Sequence, residues 1–595
     1  MKPSSISIKA VSAAFLAAAA LWSCSSEVNF SDGSFDPAIT FGGDSLTLPV
    51  GSTDTIRMED FLNTDGSDII RKDADGNYYI EVGRTFSKTV GLGDLRERIR
   101  LPYEEINKTE YFTANIGDGV PTGYNDMFTW HTTFSDAVIT YNLDLREALE
   151  NVVSIDRIEF EDASISLRIP RISLPAGSGL SVTMEFPESV RLTDNNGVPV
   201  TGNSVEMTGR LWDYGEVYFG DYRIESINLD MDEDALRSNP SVSLDFRITD
   251  ATLTTTKGQG GFAGSLMLDF VMAVGEEYGG DALPSRFYGK VNLSSEDMGG
   301  DFEDNTIYLG DIPEFLMSGD VVLDFQNPAI DMTLSSDIGV PMMVDASMTS
   351  YMRDDYSSGG STFDLSIEAP FSDDPFKSVT EKYWISPMRP SSLPAGYEWQ
   401  QNSDLRDFLT RIPEMIQVDV SAYSNVNSAD LHMVDFSVDQ YSLDGDLRIV
   451  LPFEFGSSLR LPLRQTLENV PSAIVDAFNS AAVSLAGNVT STMPVDIEIR
   501  MAFLDSDMRT IGTVAAGQKI ESAGADGKPV TTPIYLSSKD MQVDGDEVYA
   551  MALELVMTSD SPEALPLNDD SFIQISDIVL KVPGGITVNG NSMTF

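Results

Sequence analysis

His131 and His432 are the only imidazoles in a chain of 595 residues, and they lie in distant segments. Histidine-built metal sites need neighbouring imidazoles, as in a His-Glu-x-x-His helix, and no such cluster occurs. His131 sits in "FTWHTTF", alternates with aromatics and reads as a strand residue. Neither a Gly-x-Ser-x-Gly elbow nor a Walker-type phosphate loop is found. "GQGGFA", Gly258 to Ala263, fits the dinucleotide spacing Gly-x-Gly-x-x-Ala, but its sequel alternates as a strand instead of opening a helix. A glycine-rich hairpin turn is expected there.

Carboxylates are the remaining chemistry, and their abundance makes any acid–base pair arbitrary; a glycosidase would need two of them facing a sugar site. Clustered acids also suit calcium. Asp230, Asp232 and Asp234 in "DMDEDA", Asp301 and Asp304 in "EDMGGDFEDN", and the turn "DADGN" at Asp73 offer several oxygens within short spans. None completes an EF-hand loop, and solvated turns are the competing reading. Calcium is therefore the one cofactor considered. Aromatic side chains could stack on sugars: Trp212, Tyr214, Tyr218, Phe219 and Tyr222 form the densest group, followed by Tyr383-Trp384 and the Tyr397 to Trp399 stretch. Their spacing equally fits packing across a hairpin.

The only cysteine, Cys24, follows a basic start (Lys2, Lys9) and an apolar run from Ala10 to Leu21 that is too short to cross a bilayer. Leu21-Trp22-Ser23-Cys24 resembles a bacterial lipobox. The resemblance covers the first 27 residues or so and implies export, removal of residues 1–23 and diacylglycerol on Cys24, making outer-membrane lipid the expected partner. Ser25 stands where aspartate would mark retention at the inner membrane, so the outer membrane is the expected location, on either face. With no second cysteine, an intrachain disulfide is excluded.

Without residues 1–23 the chain carries 36 basic and 93 acidic residues, a formal charge of −57. Nucleic acid and anionic headgroups are repelled by such a surface. A hydrophobic content of 42% still predicts folded cores.

The elements that must position any site are mostly strands. Period-two alternation marks "IEFEDASISLRI" from Ile158, "VSLDFRI" from Val242, "VVLDF" from Val321, "IQVDVSA" from Ile416, "VDIEIRMAF" from Val495, "YAMALELVM" from Tyr549 and "FIQISDIVLKV" from Phe572. Turn signals fall at "DADG" (Asp73), "DNNG" (Asp194), "LDGD" (Leu443) and "ADG" (Ala525). Helical spacing is confined to Leu143–Ile155, Ser403–Pro413 and Leu461–Phe478, the last broken at Pro471. The expected fold is mainly β: multi-domain antiparallel sheets or sandwiches with a few short amphipathic helices. Gly- and Pro-rich breaks divide it into a signal peptide (1–23), a tether (24–43), β-rich units at 44–125, 126–280 and 281–390, a mixed unit at 391–490 and a C-terminal β unit at 491–595.

These features predict a lipid-anchored cell-envelope protein that acts by binding or assembly, adhesin-like or as a scaffold, and not as an enzyme. Glycan capture, carriage of lipid in an amphipathic groove and carboxylate-dependent glycoside hydrolysis are the alternatives.

Overall fold

A computed structural model describes residues 38–589, apart from 42–44, 52–54, 63–68, 115–119, 122–127, 175–176, 212–214, 256–263, 277–278, 299–304, 310–311, 318–320, 353–359, 373, 375–376, 431, 469–483, 525–526, 538–547, 560–564 and 584–585. Strands account for 60% of it and helices for 7%, so the fold is mainly β, as expected. The described strands form sheets of fourteen, nine, six, four and two strands, one of them curled into a half-barrel. Alternating side chains from the four larger sheets bury one continuous apolar cluster, including Ile80, Ile165, Val344 and Ile573.

Sheet membership cuts across the chain order. Residues 44–125 supply strands to three sheets: Ser45–Gly51 pairs with Phe572–Pro583, Tyr78–Val90 with Tyr441–Pro452, and Glu104–Ala114 with Gly264–Glu276. The start of the described chain is tied to its end, since Ala38–Phe41 pairs with Ile586–Asn589.

The aspartate-led turns have a common construction. Oδ1 of Asp73 accepts the backbone N–H groups of Asp75 and Asn77, and Oδ1 of Asp194 accepts those of Asn196 and Val198. Gly76 and Gly197 supply the left-handed residue that each hairpin needs. A third turn of this kind, unread in the sequence, runs from Asp505, whose Oδ1 accepts from Asp507 and Arg509. Many acids therefore serve the backbone.

Three local expectations need correction. "LDGD" is no turn: Leu443 to Asp446 lie inside strand Tyr441–Pro452, and Gly445 is glycine because a Cβ there would meet the Phe86 ring at 2.0 Å. The helical pattern from Leu461 is a strand, Arg460–Glu468, held by pairing with Ala550–Thr558, while residues 469–478 lie outside the described ones. "VVLDF" makes only isolated bridges, because Asp324 takes a left-handed φ of 44° and buries its carboxylate against Arg406. Residues 258–263, where a glycine-rich hairpin turn is expected, lie outside the described residues. Of the two other helical stretches, one keeps a single 3-10 turn (Arg146–Glu150) and the other one α-turn (Asp404–Phe408) that buries Leu405 and Phe408.

The region that matters below pairs two sheets. The six-stranded sheet orders Tyr397–Gln401, Val379–Ser386, Ala329–Ser336, Tyr441–Pro452, Tyr78–Val90 and Ile70–Lys72. The four-stranded sheet orders Thr306–Tyr308, Met415–Ser424, Met342–Tyr351 and Thr362–Ala369. They touch where the Tyr383 hydroxyl lies 3.0 Å from the Glu368 carbonyl oxygen and where Arg84 Nε donates to the Thr306 carbonyl at 3.2 Å.

Candidate functional site

Two aromatic stretches that are separate in sequence meet at one edge of the six-stranded sheet. Val379–Ser386 and Tyr397–Gln401 form the one parallel pair among the described strands, with Lys382 beside Tyr397, Trp384 beside Trp399 and Ser386 beside Gln401. A parallel neighbour needs a return path. Residues 387–396 provide it, stiffened by Pro387, Pro390 and Pro394. The loop is pinned by Gln401 Nε2 donating to the Pro387 carbonyl at 3.2 Å and by the Met388 N–H donating to Asn327 Oδ1 at 3.0 Å.

Alternation sends Tyr383 and Ile385 into the core and leaves Lys382, Trp384, Tyr397 and Trp399 on the outer face, where the three rings are half-buried. Trp384 meets Tyr397 edge-on, with centroids 6.2 Å apart. The Trp399 indole donates to Ser386 Oγ at 3.1 Å, which fixes its ring. Two cations complete the edge: Lys382 Nζ lies 5.6 Å from the Tyr397 ring centre and the Arg389 guanidinium 6.0 Å from that of Trp399.

Inward along the same face, Asp331 is the strand neighbour of both Trp384 and Arg448. Burial pushes the Asp331 carboxyl up, against the opposing effects of the Tyr397 hydroxyl, which donates to it, and of the Arg448 charge. Burial, then Asp331, pushes the Tyr397 phenol up to about 12. Arg448 donates to Asp446 at 2.5 Å. Flat rings, fixed donors and carboxylates in one row are what a pyranose needs: an apolar face to lie on and groups to meet its hydroxyls.

The outer face of the four-stranded sheet carries a second feature, an open cavity of about 500 Å³ lined by Asp345, Ser347, Asp364, Ser366, Asp419 and Tyr423 among others. Acid and hydroxyl alternate across its strands, Asp364 beside Ser347 beside Asp419 and Ser366 beside Asp345 beside Ser421. Ser347 donates to Asp364 at 2.7 Å and Ser366 to Asp345 at 2.6 Å. No basic residue lines it.

The shelf joins two of the aromatic stretches singled out in the sequence, and the other described residues named there have separate local roles. Cys24, Trp212, Tyr214, Asp301 and Asp304 lie outside the described residues. Tyr218 is the strand neighbour of Arg168 and Arg210, and Tyr222 packs against the core beside Ile165, its phenol pushed up by burial. Asp230 lies one residue before the end of strand Val217–Met231, with a left-handed φ of 46°. Asp232 caps the helix Glu233–Ser238 by accepting the Ala235 N–H at 2.8 Å, and Asp234 lies exposed in that helix's first turn. Among the described residues no group of three or more His, Cys, Asp and Glu is arranged to hold a metal ion. His131 is a strand residue, its Nε2 3.0 Å from Asp250; His432 is fully buried, its Nδ1 accepting the Val291 N–H at 3.0 Å. Sequence reading named Tyr383-Trp384 and Trp399 but missed Asp331 and Arg448, whose only signal was their place in alternating runs.

No protein-family model matches the chain, and no curated protein matches it. Among solved structures, a protein of Parabacteroides distasonis ATCC 8503 predicted to be secreted aligns at 20% identity with a TM-score of 0.32, over 50% of this chain and 89% of its own. A triple jelly-roll protein of an archaeal virus turret assembly aligns at 10% identity and a TM-score of 0.11, covering 81% and 91%. The infectious bursal disease virus subviral particle gives 11% and 0.14, covering 88% and 83%. At such scores none of these likenesses carries a functional argument. Among the described residues no helix is long and apolar enough to cross a membrane.

Proposed function

We propose that the protein is held at the outer membrane by acylated Cys24 and works there by binding saccharide, without turning it over. The observation that carries this reading is the convergence of Trp384, Tyr397 and Trp399 on one outward face, beside Asp331 and Arg448. Grouped half-buried rings on a solvent-facing sheet edge offer flat apolar surface to a ligand, and a stacking role fits them.

Glycoside hydrolysis is the rival on the same residues. Asp331 is held towards its protonated form, as a general acid must be, while Asp446 is paired with Arg448. Neither lies in an enclosed cleft: both belong to an open sheet face, where water would not be excluded.

The test is affinity electrophoresis of the full chain in detergent through gels containing envelope or host polysaccharides, with Trp399→Ala as control. Retardation of the parent and free migration of the variant are expected. Release of reducing ends, abolished by Asp331→Asn, would replace binding with hydrolysis. Equal migration of both proteins in every gel would leave only the scaffold role.

A further inference from the structure

We propose that the shelf selects saccharides bearing a carboxylate, such as uronate polymers, with Lys382 and Arg389 receiving the acid group. The inference rests on the saccharide reading above and adds the ligand's charge.

It starts from an imbalance. The chain has 38 basic and 93 acidic residues. Several surface arginines, Arg71, Arg98, Arg100, Arg146, Arg168 and Arg448 among them, lie within ion-pair distance of a carboxylate. Lys382 and Arg389 stand instead over the rings of Tyr397 and Trp399, and among the described residues neither forms a salt bridge. Both are exposed.

Strand geometry explains how they escape pairing. Glu381 and Glu398, each one position from a shelf residue, project to the opposite face by alternation, the side on which the Tyr383 hydroxyl donates to Glu381 at 2.5 Å. Asp331 accepts from Tyr397, and Asp446 is taken by Arg448. Asp331, which also feels the Lys382 charge, and Asp446 are thus held by other donors, and the two cations at the aromatic edge remain open to a ligand's acid group.

A cation over a ring is also well placed for a sugar acid. The Lys382 ammonium and the Arg389 guanidinium lie 5.6 and 6.0 Å from the ring centres of Tyr397 and Trp399, so a pyranose in contact with these rings would bring its carboxylate within reach of both cations. Arginine meets such a group with two parallel N–H donors, and lysine adds a point charge. The chain's net charge opposes approach from a distance, but at physiological ionic strength it is screened beyond about 8 Å, while contact at the shelf is not. Local charge then decides.

The experiment is calorimetric titration of the full chain in detergent with polygalacturonate, alginate and hyaluronan, each compared with its carboxyl-reduced, neutral form. At least one acidic polymer should bind tenfold or more tightly than its reduced counterpart. Lys382→Met and Arg389→Met should each erase most of that difference, lowering affinity for the acidic form far more than for the neutral one. Trp399→Ala should lower both. Equal binding of acidic and reduced forms would overturn the carboxylate inference and leave the saccharide reading standing. Binding by none of the six polymers would overturn both. A selectivity that survives the Lys382→Met/Arg389→Met double variant, with unchanged melting temperature, would place the acid group elsewhere and overturn the assignment of these two residues.

Discussion

Ala38 is the strand partner of Asn589. The segment that leaves the expected anchor thus enters the fold beside the strand that ends the described chain, and the next strand, Ser45–Gly51, lies against Phe572–Pro583 in the nine-stranded sheet. Residues 24–37 can span at most about 50 Å even when fully extended. If Cys24 is acylated, this end of the fold is held within about 50 Å of the membrane.

Cys24→Ala should therefore move the protein from the detergent-rich to the aqueous phase on cloud-point partitioning. Acyl chains contribute about 0.8 kcal/mol per buried methylene, and nothing in the described fold offers an apolar membrane helix as substitute. A variant that still partitions with detergent would refute the anchor and return residues 1–23 to an ordinary leader.

The three aspartate-led turns make a sharper stability test. Their third positions after the aspartate are Gly76, Gly197 and Met508, with φ of 83°, 77° and 62°. Only Met508 incurs the left-handed penalty of a residue with a Cβ, about 1–2 kcal/mol. Its side chain is 39% exposed, so little packing is lost with it. After the added chain entropy of glycine, Met508→Gly should stabilise by about 0.5–1 kcal/mol in urea denaturation. Asp505→Ala should cost about 1 kcal/mol through the two N–H groups it leaves without their acceptor. A neutral or destabilising Met508→Gly would mean that this turn does not follow the other two.

Gly445 and Phe86 supply the converse case, a glycine that is needed for space. They are strand partners, and the ring fills the room a Cβ would take. Gly445→Ala should cost about 1–3 kcal/mol by overpacking. Adding Phe86→Leu should recover part of that loss, even though the leucine alone is destabilising. Additive losses in the double variant would show that the two sites do not interact.

Particular residues show what could be read in advance. Strand identity was legible wherever one face is buried, as in Ile416, Val418 and Val420, since burial on one side imposes period two. Leu461, Leu463 and Leu467 misled because a leucine-rich run with polar interruptions fits a helix locally, and only pairing with Ala550–Thr558, far along the chain, decides otherwise. The Asp-Gly pair at Asp444 misled for the same reason: turn chemistry is local, whereas the Phe86 ring that requires Gly445 arrives from more than 350 positions away. The shelf could be half seen. Trp384 and Trp399 stand out as residue types, but their parallel pairing and the row running from them to Asp331 and Arg448 depend on registers that a single sequence does not encode legibly.

His432 makes the last prediction. It is fully buried on strand His432–Asp435, which joins the fourteen-stranded sheet at Phe287 and Gly289 and whose Met433 N–H donates to the Gly339 carbonyl beyond it. Burial first, and then the Lys290 charge, lowers its imidazole from the usual 6.5 to about 4. An unfolded chain takes up the proton near pH 6.5, while the folded chain resists until about pH 4, so between these values the unfolded state binds more protons and stability falls as pH falls. The stabilisation is fully present above about pH 6.5, and its loss reaches about 3 kcal/mol by pH 4. Most of this window lies above the ordinary range of the carboxylates, so His432 contributes a falling slope between pH 7 and pH 5. His432→Asn keeps an acceptor for the Val291 N–H but has nothing to titrate. Urea midpoints measured at half-unit intervals should drop more steeply for the parent than for the variant over that range; parallel curves would assign the acid sensitivity to other groups.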